Sequence, residues 1–223
     1  MLKSEQMNEL FKFDRKYGVV VGTDEAGRGP AAGGVYSAAV YFPEITKGLV
    51  KDLEKLNDSK KLSHNTREVL YDIIINNSVN SVVCVDVDEI EQINILNSSL
   101  KAMKLACENV IKEAKLNDFT TLVDGNKYIK NYSYSQKYII KGDGKSASIA
   151  AASILAKVTR DRYMLDIAQE FPQYHWEKNA GYLTKEHLQA IDKYGLTKYH
   201  RPSFLKKHFE KQLSLFGTHC KFL

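Results

Sequence analysis

Two acids stand side by side at Asp24 and Glu25, straight after Val19, Val20 and Val21 and just before Gly27, Arg28 and Gly29. Three β-branched residues in a row have the composition of a buried strand. A desolvated carboxylate is costly unless it is paired or bound to a metal. A strand that ends in two of them therefore calls for a cation: a divalent metal ion, a cationic substrate group, or an Arg or Lys partner. Acids at strand ends are most often solvated loop residues, and the glycine pair is what adds weight here. Gly27 and Gly29 let the backbone approach a ligand closely, and Arg28 between them offers a planar donor fork suited to phosphate.

Further acids repeat the pattern. TLVD ends at Asp124 and is followed by Gly125 and Asn126, again apolar run, acid, glycine. In residues 145–171, Ser146, Ala150, Ser153, Lys157 and Asp161 recur at three- and four-residue steps and share one helix face. By itself Lys157–Asp161 reads as an ordinary i,i+4 surface pair. The small residues of the first half, however, predict a helix packed closely on a sheet, which would bring Asp161 beside the two strand ends. Asp24, Glu25, Asp124 and Asp161 would then form a set of hard oxygen donors suited to Mg²⁺ or Mn²⁺, with room for two ions. A two-metal site stabilises both the attacking and the leaving oxygen of a phosphodiester displacement. No Cys/His cluster suggests zinc, and no Ser–His or Cys–His arrangement suggests a protein nucleophile.

The elements that must position these groups follow from pattern. A short amphipathic helix is expected over 4–16, with Met7, Leu10 and Phe11 on one face, and strands over 19–24 and 34–42 joined as an antiparallel hairpin. Ser63 caps a helix to about Asn76, 81–87 forms a third strand, and one continuous helix runs from Asp88 or Glu89 to about Lys115. Strands over 121–124 and 136–141 precede the turn Gly142–Asp143–Gly144 and the long helix over 145–171. Pro172 stops that helix, and the loop 174–183 carries Tyr174, Trp176 and Tyr182, able to stack on a base or sugar or to cap the core. Thr184 caps a helix ended by Gly195, and a basic helix covers 205–213. A dinucleotide-binding loop is a poor fit, since Gly33 falls one residue too late and a strand, not a helix, follows.

With 223 residues and no linker or repeat, one domain is expected, with an N-terminal helix (about 1–17) and a C-terminal helical extension (about 172–223). A net charge of +5 permits a polyanionic partner. Cys84, Cys107 and Cys220 are far apart and odd in number, which fits a reducing compartment. The N-terminus lacks the apolar core of a secretory signal, so a cytoplasmic location is expected.

The blocks TDEAGRGPAAG, LNDSKKLS, VDGN, KGDGKSASIAAASILAKVTRDR, AGYLTKEH and HRPSF resemble, in order, the signature blocks of the ribonuclease HII family. The resemblance implies a ribonuclease H-like fold: a five-stranded mixed sheet flanked by helices. It implies a metal-dependent endonuclease for RNA–DNA hybrids and for single ribonucleotides embedded in DNA, leaving a 3′-hydroxyl and a 5′-phosphate. Carried over by motif, Asp24, Glu25, Asp124 and Asp161 are the ligands of Mg²⁺ or Mn²⁺, with Asp24 bridging two ions. Gly27, Arg28 and Gly29 match the segment that reads the 2′-hydroxyl, and Tyr182 the residue at the RNA–DNA junction. Lys60, Lys61 and Ser146 fall in phosphate-contacting segments. The chain departs from the family at Ala180, where lysine is more frequent, and Lys178 stands ready to supply that charge. A monomer is expected, with a replication clamp as a further partner. The rival class is a catalytically silent nucleic-acid-binding module of the same fold.

Overall fold

A computed structural model describes residues 8–57, 59 and 62–216. Its centre is one five-stranded sheet in the order β3-β2-β1-β4-β5. The strands are β1 (Val20–Ala26), β2 (Val35–Tyr41), β3 (Val79–Val85), β4 (Thr120–Asp124) and β5 (Gln136–Ile139). The β1–β2 and β2–β3 pairs are antiparallel, as the hairpin reading requires, and β1–β4 and β4–β5 are parallel. Parallel pairing makes β1 and β4 end on the same side. Val20 pairs with Thr120 and Thr23 with Val123, so the register carries on to set Asp24 level with Asp124.

Helices cover both faces. They are α1 (Glu9–Arg15), α2 (Lys47–Asp52), α3 (His64–Asn77), α4 (Val87–Ile93), α5 (Ile95–Ala114), α6 (Ala147–Glu170), α7 (Trp176–Asn179), α8 (Lys185–Tyr194) and α9 (Pro202–Phe216). Alternation along the strands sorts the contacts. Val21 and Ala39 pack with Leu100, Met103, Ala106, Cys107 and Val110 of α5. Ala38 and Val40 of the opposite face pack with Ala147, Ala150, Ala151, Ile154 and Val158 of α6. The alanines let α6 lie very near β1: a Cβ on Gly22 would fall 2.3 Å from the Ser148 carbonyl carbon.

Local chemistry fixes the ends. Ser146 is the N-cap of α6, its hydroxyl accepting from the Ile149 amide at 3.2 Å. The buried Asp14 at the end of α1 accepts from the Ser148 amide and hydroxyl, each at 2.8 Å, and so fastens α1 to the start of α6. The long helix expected from residue 88 to 115 is instead two. Asn94 adopts φ 65°, and its side chain caps α5 by accepting from the Asn97 amide at 3.1 Å. Asp86 caps α4 in the same way, which moves β3 two residues earlier than the pattern suggested. The described part of the N-terminal helix starts at Glu9 with Asn8 as its cap; residues 4–7 lie outside the described residues. The C-terminal helix starts three residues earlier than expected, at Pro202. Among the described residues, no helix is long and apolar enough to cross a membrane.

Candidate active site

The ends of β1 and β4 gather three of the four sequence-predicted acids. Asp24 faces α6 and is 6% exposed. Its Oδ1 accepts from the Glu25 amide at 2.7 Å, and the Ser153 hydroxyl on α6 also favours its charge. Burial above all, then the charges of Glu25 and Asp124, hold the Asp24 carboxyl well above the usual carboxylate range. Glu25 faces the opposite side, towards Ser99 of α5. Burial raises its carboxyl, the Arg28 guanidinium opposes that, and Asp124 adds to it. Arg28 Nη1 lies 3.3 Å from Glu25 Oε1. Asp124 Oδ1 accepts from the Gly142 amide at 2.6 Å.

Asp161 is not brought into this group, contrary to expectation. Its Oδ1 accepts from Lys157 Nζ at 2.5 Å. It lies eight residues beyond Ser153, about 12 Å further along the helix axis at 1.5 Å per residue. The acids that raise Asp24 are Glu25 and Asp124. Face periodicity had set Ser153, Lys157 and Asp161 on one stripe, but periodicity says nothing about height along the helix.

The sequence reading passed over Asp143. It sits in the 3₁₀ turn Gly142–Gly144, half-buried, one residue past the amide that binds Asp124. The signal was present: an acid between two glycines immediately before a capped helix. Gly-Asp-Gly is also ordinary turn chemistry, and the pattern alone predicts only a turn.

Among the described residues, no three His, Cys, Asp or Glu side chains already stand at the spacing that grips one ion. Each acid rests on a protein donor instead: Asp24 on an amide, Glu25 on Arg28, Asp124 on an amide. The donor set nonetheless fits a hard divalent cation. All its atoms are carboxylate oxygens, and Asp24 is a buried carboxylate whose nearest charges are of its own sign.

The segments predicted to touch substrate divide in two. Tyr182 is 53% exposed and packs against Gly29, where an added Cβ would lie 3.2 Å from the ring. The Gly27–Gly29 segment thus borders both the acids and an exposed aromatic ring. Tyr174 and Trp176 are 1% exposed and stack on each other at 5.1 Å, so they belong to the core and have no face left for a base. Ser146 is fully buried and spends its hydroxyl on the helix cap. Lys60 and Lys61 lie outside the described residues.

A five-stranded mixed sheet with α5 and α6 on opposite faces and acids at the ends of two parallel central strands defines a ribonuclease H-like protein. Residues 21–212 match the family model described as Ribonuclease HII. A protein named "Ribonuclease HII" from Fusobacterium nucleatum is 48% identical over 214 residues, covering 95% of this chain and 98% of the relative. The PCNA:RNase HII complex from Archaeoglobus fulgidus superposes with a TM-score of 0.66 at 23% identity, over 82% of this chain and 93% of that one. "Bst-RNase HIII in complex with Mn2+" superposes with a TM-score of 0.68 at 15% identity, over 92% of this chain and 73% of that one. These two structures speak to the fold. The chain belongs to the ribonuclease HII family, and is a hydrolase of the endonuclease type.

Proposed function

We propose that the protein is a divalent-metal-dependent endoribonuclease that cleaves the RNA strand of RNA–DNA hybrids and nicks DNA 5′ of a single embedded ribonucleotide, leaving a 3′-hydroxyl and a 5′-phosphate. The observation that carries this reading is the Asp24 carboxylate, buried against Glu25 and Asp124 at the end of the central strand. Such a group is costly until a cation joins it. Asp24, Glu25 and Asp124 would hold Mg²⁺ or Mn²⁺, with Asp143 as the fourth acid in place of Asp161. Mn²⁺ finds support in the manganese complex of the structurally similar Bst-RNase HIII. When bound, the metal supplies an activated water and neutralises charge on the phosphate.

The chain's own residues do the rest. Asp24, on the central strand, keeps its carboxylate at one height relative to β4 and α6. The backbone of Gly27, Arg28 and Gly29, packed closely on Arg160 and Tyr182 at its two glycines, stands beside the acids where it can meet a ribose. Tyr182 presents a ring face beside them for stacking on the adjoining nucleotide. Arg28 pairs with Glu25 in the free protein, and an arriving phosphate competes for the same guanidinium. A sliding clamp is a candidate partner on the strength of the Archaeoglobus complex, and co-elution tests it.

The deciding experiment is a duplex with one embedded ribonucleotide and a labelled strand. Nicking with Mg²⁺ or Mn²⁺, stopped by EDTA, is the expected result. Retardation in a gel without nicking in either metal would overturn the enzyme reading in favour of a silent binding module.

A further inference from the structure

Behind the Gly27–Gly29 segment lie two buried guanidinium groups. Arg160 of α6 is 2% exposed and Arg201, just before α9, is 0% exposed. Among the described residues neither takes part in an ion pair. The acids that favour their charge act at longer range, Asp161 on Arg160 and Glu91 on Arg201. Burial, and then the charge of Arg160, lower Arg201 to about 9. A buried cation without a carboxylate is expensive, and an apolar side chain of similar length would fill the same space at less cost. Their hydrogen bonds indicate what the fork geometry achieves.

All of those bonds go to main-chain carbonyls of two loops. Arg160 Nη2 donates to Ala32 O at 3.0 Å and to Ala180 O at 3.1 Å, and its Nε to Gly34 O at 3.4 Å. Arg201 Nε and Nη2 donate to Gly33 O at 2.8 and 2.5 Å, and Nη1 to Arg28 O at 3.5 Å. Arg160 therefore joins the loop after β1 to the segment that carries Tyr182. The Ala31 amide adds a main-chain lace, donating to Gly181 O at 2.9 Å. Gly27 must be glycine for the same reason: a Cβ there would lie 2.3 Å from Arg160 Nε.

The peptide plane turns this into an aim. The described residues contain no cis peptide bond. In a trans peptide the carbonyl and the following amide point in opposite directions. Drawing the Arg28 carbonyl inward to Arg201 therefore turns the Gly29 amide outward, beside the Tyr182 ring. We propose that Arg160 and Arg201 are positioning residues for ribonucleotide recognition: they hold residues 28–34 and 180–182 as one unit and aim the Gly29 amide at the ribose. This rests on the reading, given under Proposed function, that Gly27–Gly29 and Tyr182 meet the ribonucleotide.

The test uses Arg160→Lys and Arg201→Lys, which keep the charge and lose the fork. Affinity is measured in EDTA for a duplex with one ribonucleotide and for the same duplex in DNA alone, alongside kcat/KM on the first and hydrogen exchange over both segments. The wild type is expected to prefer the ribonucleotide. Each variant should bind the all-DNA duplex as the wild type does and lose the preference. Its kcat/KM should fall about 100-fold, the scale of loss from about 1 Å of misplacement. Exchange should quicken in both segments together in Arg160→Lys, which bridges them, and over 28–34 in Arg201→Lys, whose bonds go to that loop. An unchanged preference, equal weakening on both duplexes, or loosening of one segment alone in Arg160→Lys would overturn the proposal. A wild type that neither prefers nor nicks the ribonucleotide would overturn the functional reading instead. The exchange result then still decides whether the arginines hold the segments as a unit.

Discussion

The Gly142 amide donates to Asp124 Oδ1 across 2.6 Å, fastening the turn before α6 to the end of β4. Asp143 is the next residue on that turn, whereas Asp161 is held by Lys157 further along α6. We expect Asp143→Asn to lower kcat by about 100-fold or more, the scale of removing a group that stabilises charge in the transition state. Asp161→Asn should stay within about tenfold of wild type, as for an i,i+4 surface pair. Single-turnover cleavage of an embedded ribonucleotide separates the two. The opposite ranking would restore Asp161 to the site.

Asp24→Asn should abolish cleavage and raise the stability of the metal-free protein. The sign follows from the raised Asp24 carboxyl. The folded state holds that proton more tightly than the unfolded chain, so this group's contribution is present below the unfolded value and is lost as pH rises through the folded one. Removing the charge should add on the order of 1 kcal/mol or more at pH 7. Urea unfolding in EDTA checks it. Added Mn²⁺ should stabilise wild type and leave the variant unmoved, because only the state that binds ligand gains from it.

Two aromatic residues six positions apart should behave oppositely. Tyr182 is 53% exposed, so Tyr182→Ala should change stability by no more than about 0.5 kcal/mol. It should nonetheless lose about 1–3 kcal/mol of binding if the ring stacks on a base. Trp176 is 1% exposed, and Trp176→Ala should cost about 3–5 kcal/mol of stability. Parallel melting and binding curves read both. Equal losses of melting and activity in Tyr182→Ala would show that its ring is packing only.

The tyrosine's main chain hangs on a neutral histidine pair. His187 Nδ1 meets Tyr182 O at 2.9 Å, while its Nε2 accepts from Trp176 Nε1 at 3.1 Å and lies 3.2 Å from His200 Nε2. His200 Nδ1 accepts from the Thr197 amide at 2.9 Å, so every role is filled with both rings uncharged. Burial lowers His187, and burial together with the neighbouring ring lowers His200 to about 4. The unfolded chain takes these protons more readily. The stability they represent is therefore complete above the ordinary histidine value and lost as pH falls towards 4, on the order of 3 kcal/mol for His200. His200→Gln should lose less between pH 7 and pH 4 than wild type, measured by urea midpoints.

Much of the arrangement was legible in the chain because local rules governed it. The valine run and TLVD gave β1 and β4, and the alanines of 147–156 gave a helix lying close to the sheet. Thr184 and Gly195 bounded α8. What failed depended on long-range or conformational facts. Asn94 could be seen as polar but not as the residue at φ 65° that splits α4 from α5. Tyr174 and Trp176 looked available because their burial by α8 and the histidine pair is tertiary. Three of the four expected acids converge because strand register carries Asp24 to Asp124. The fourth was misplaced because a helical stripe has no built-in stopping point.

A Cβ on Gly22 has no room between β1 and the first turn of α6. Strand and helix consequently meet backbone to backbone there, as one packed block. Asp24 and its partner Ser153 are carried on the two halves of that block, so the gap between them is set by the scaffold before any ion arrives. The Gly142 amide ties Asp124, on the other flank, to the turn that enters the same helix, so both flanks are referred to α6.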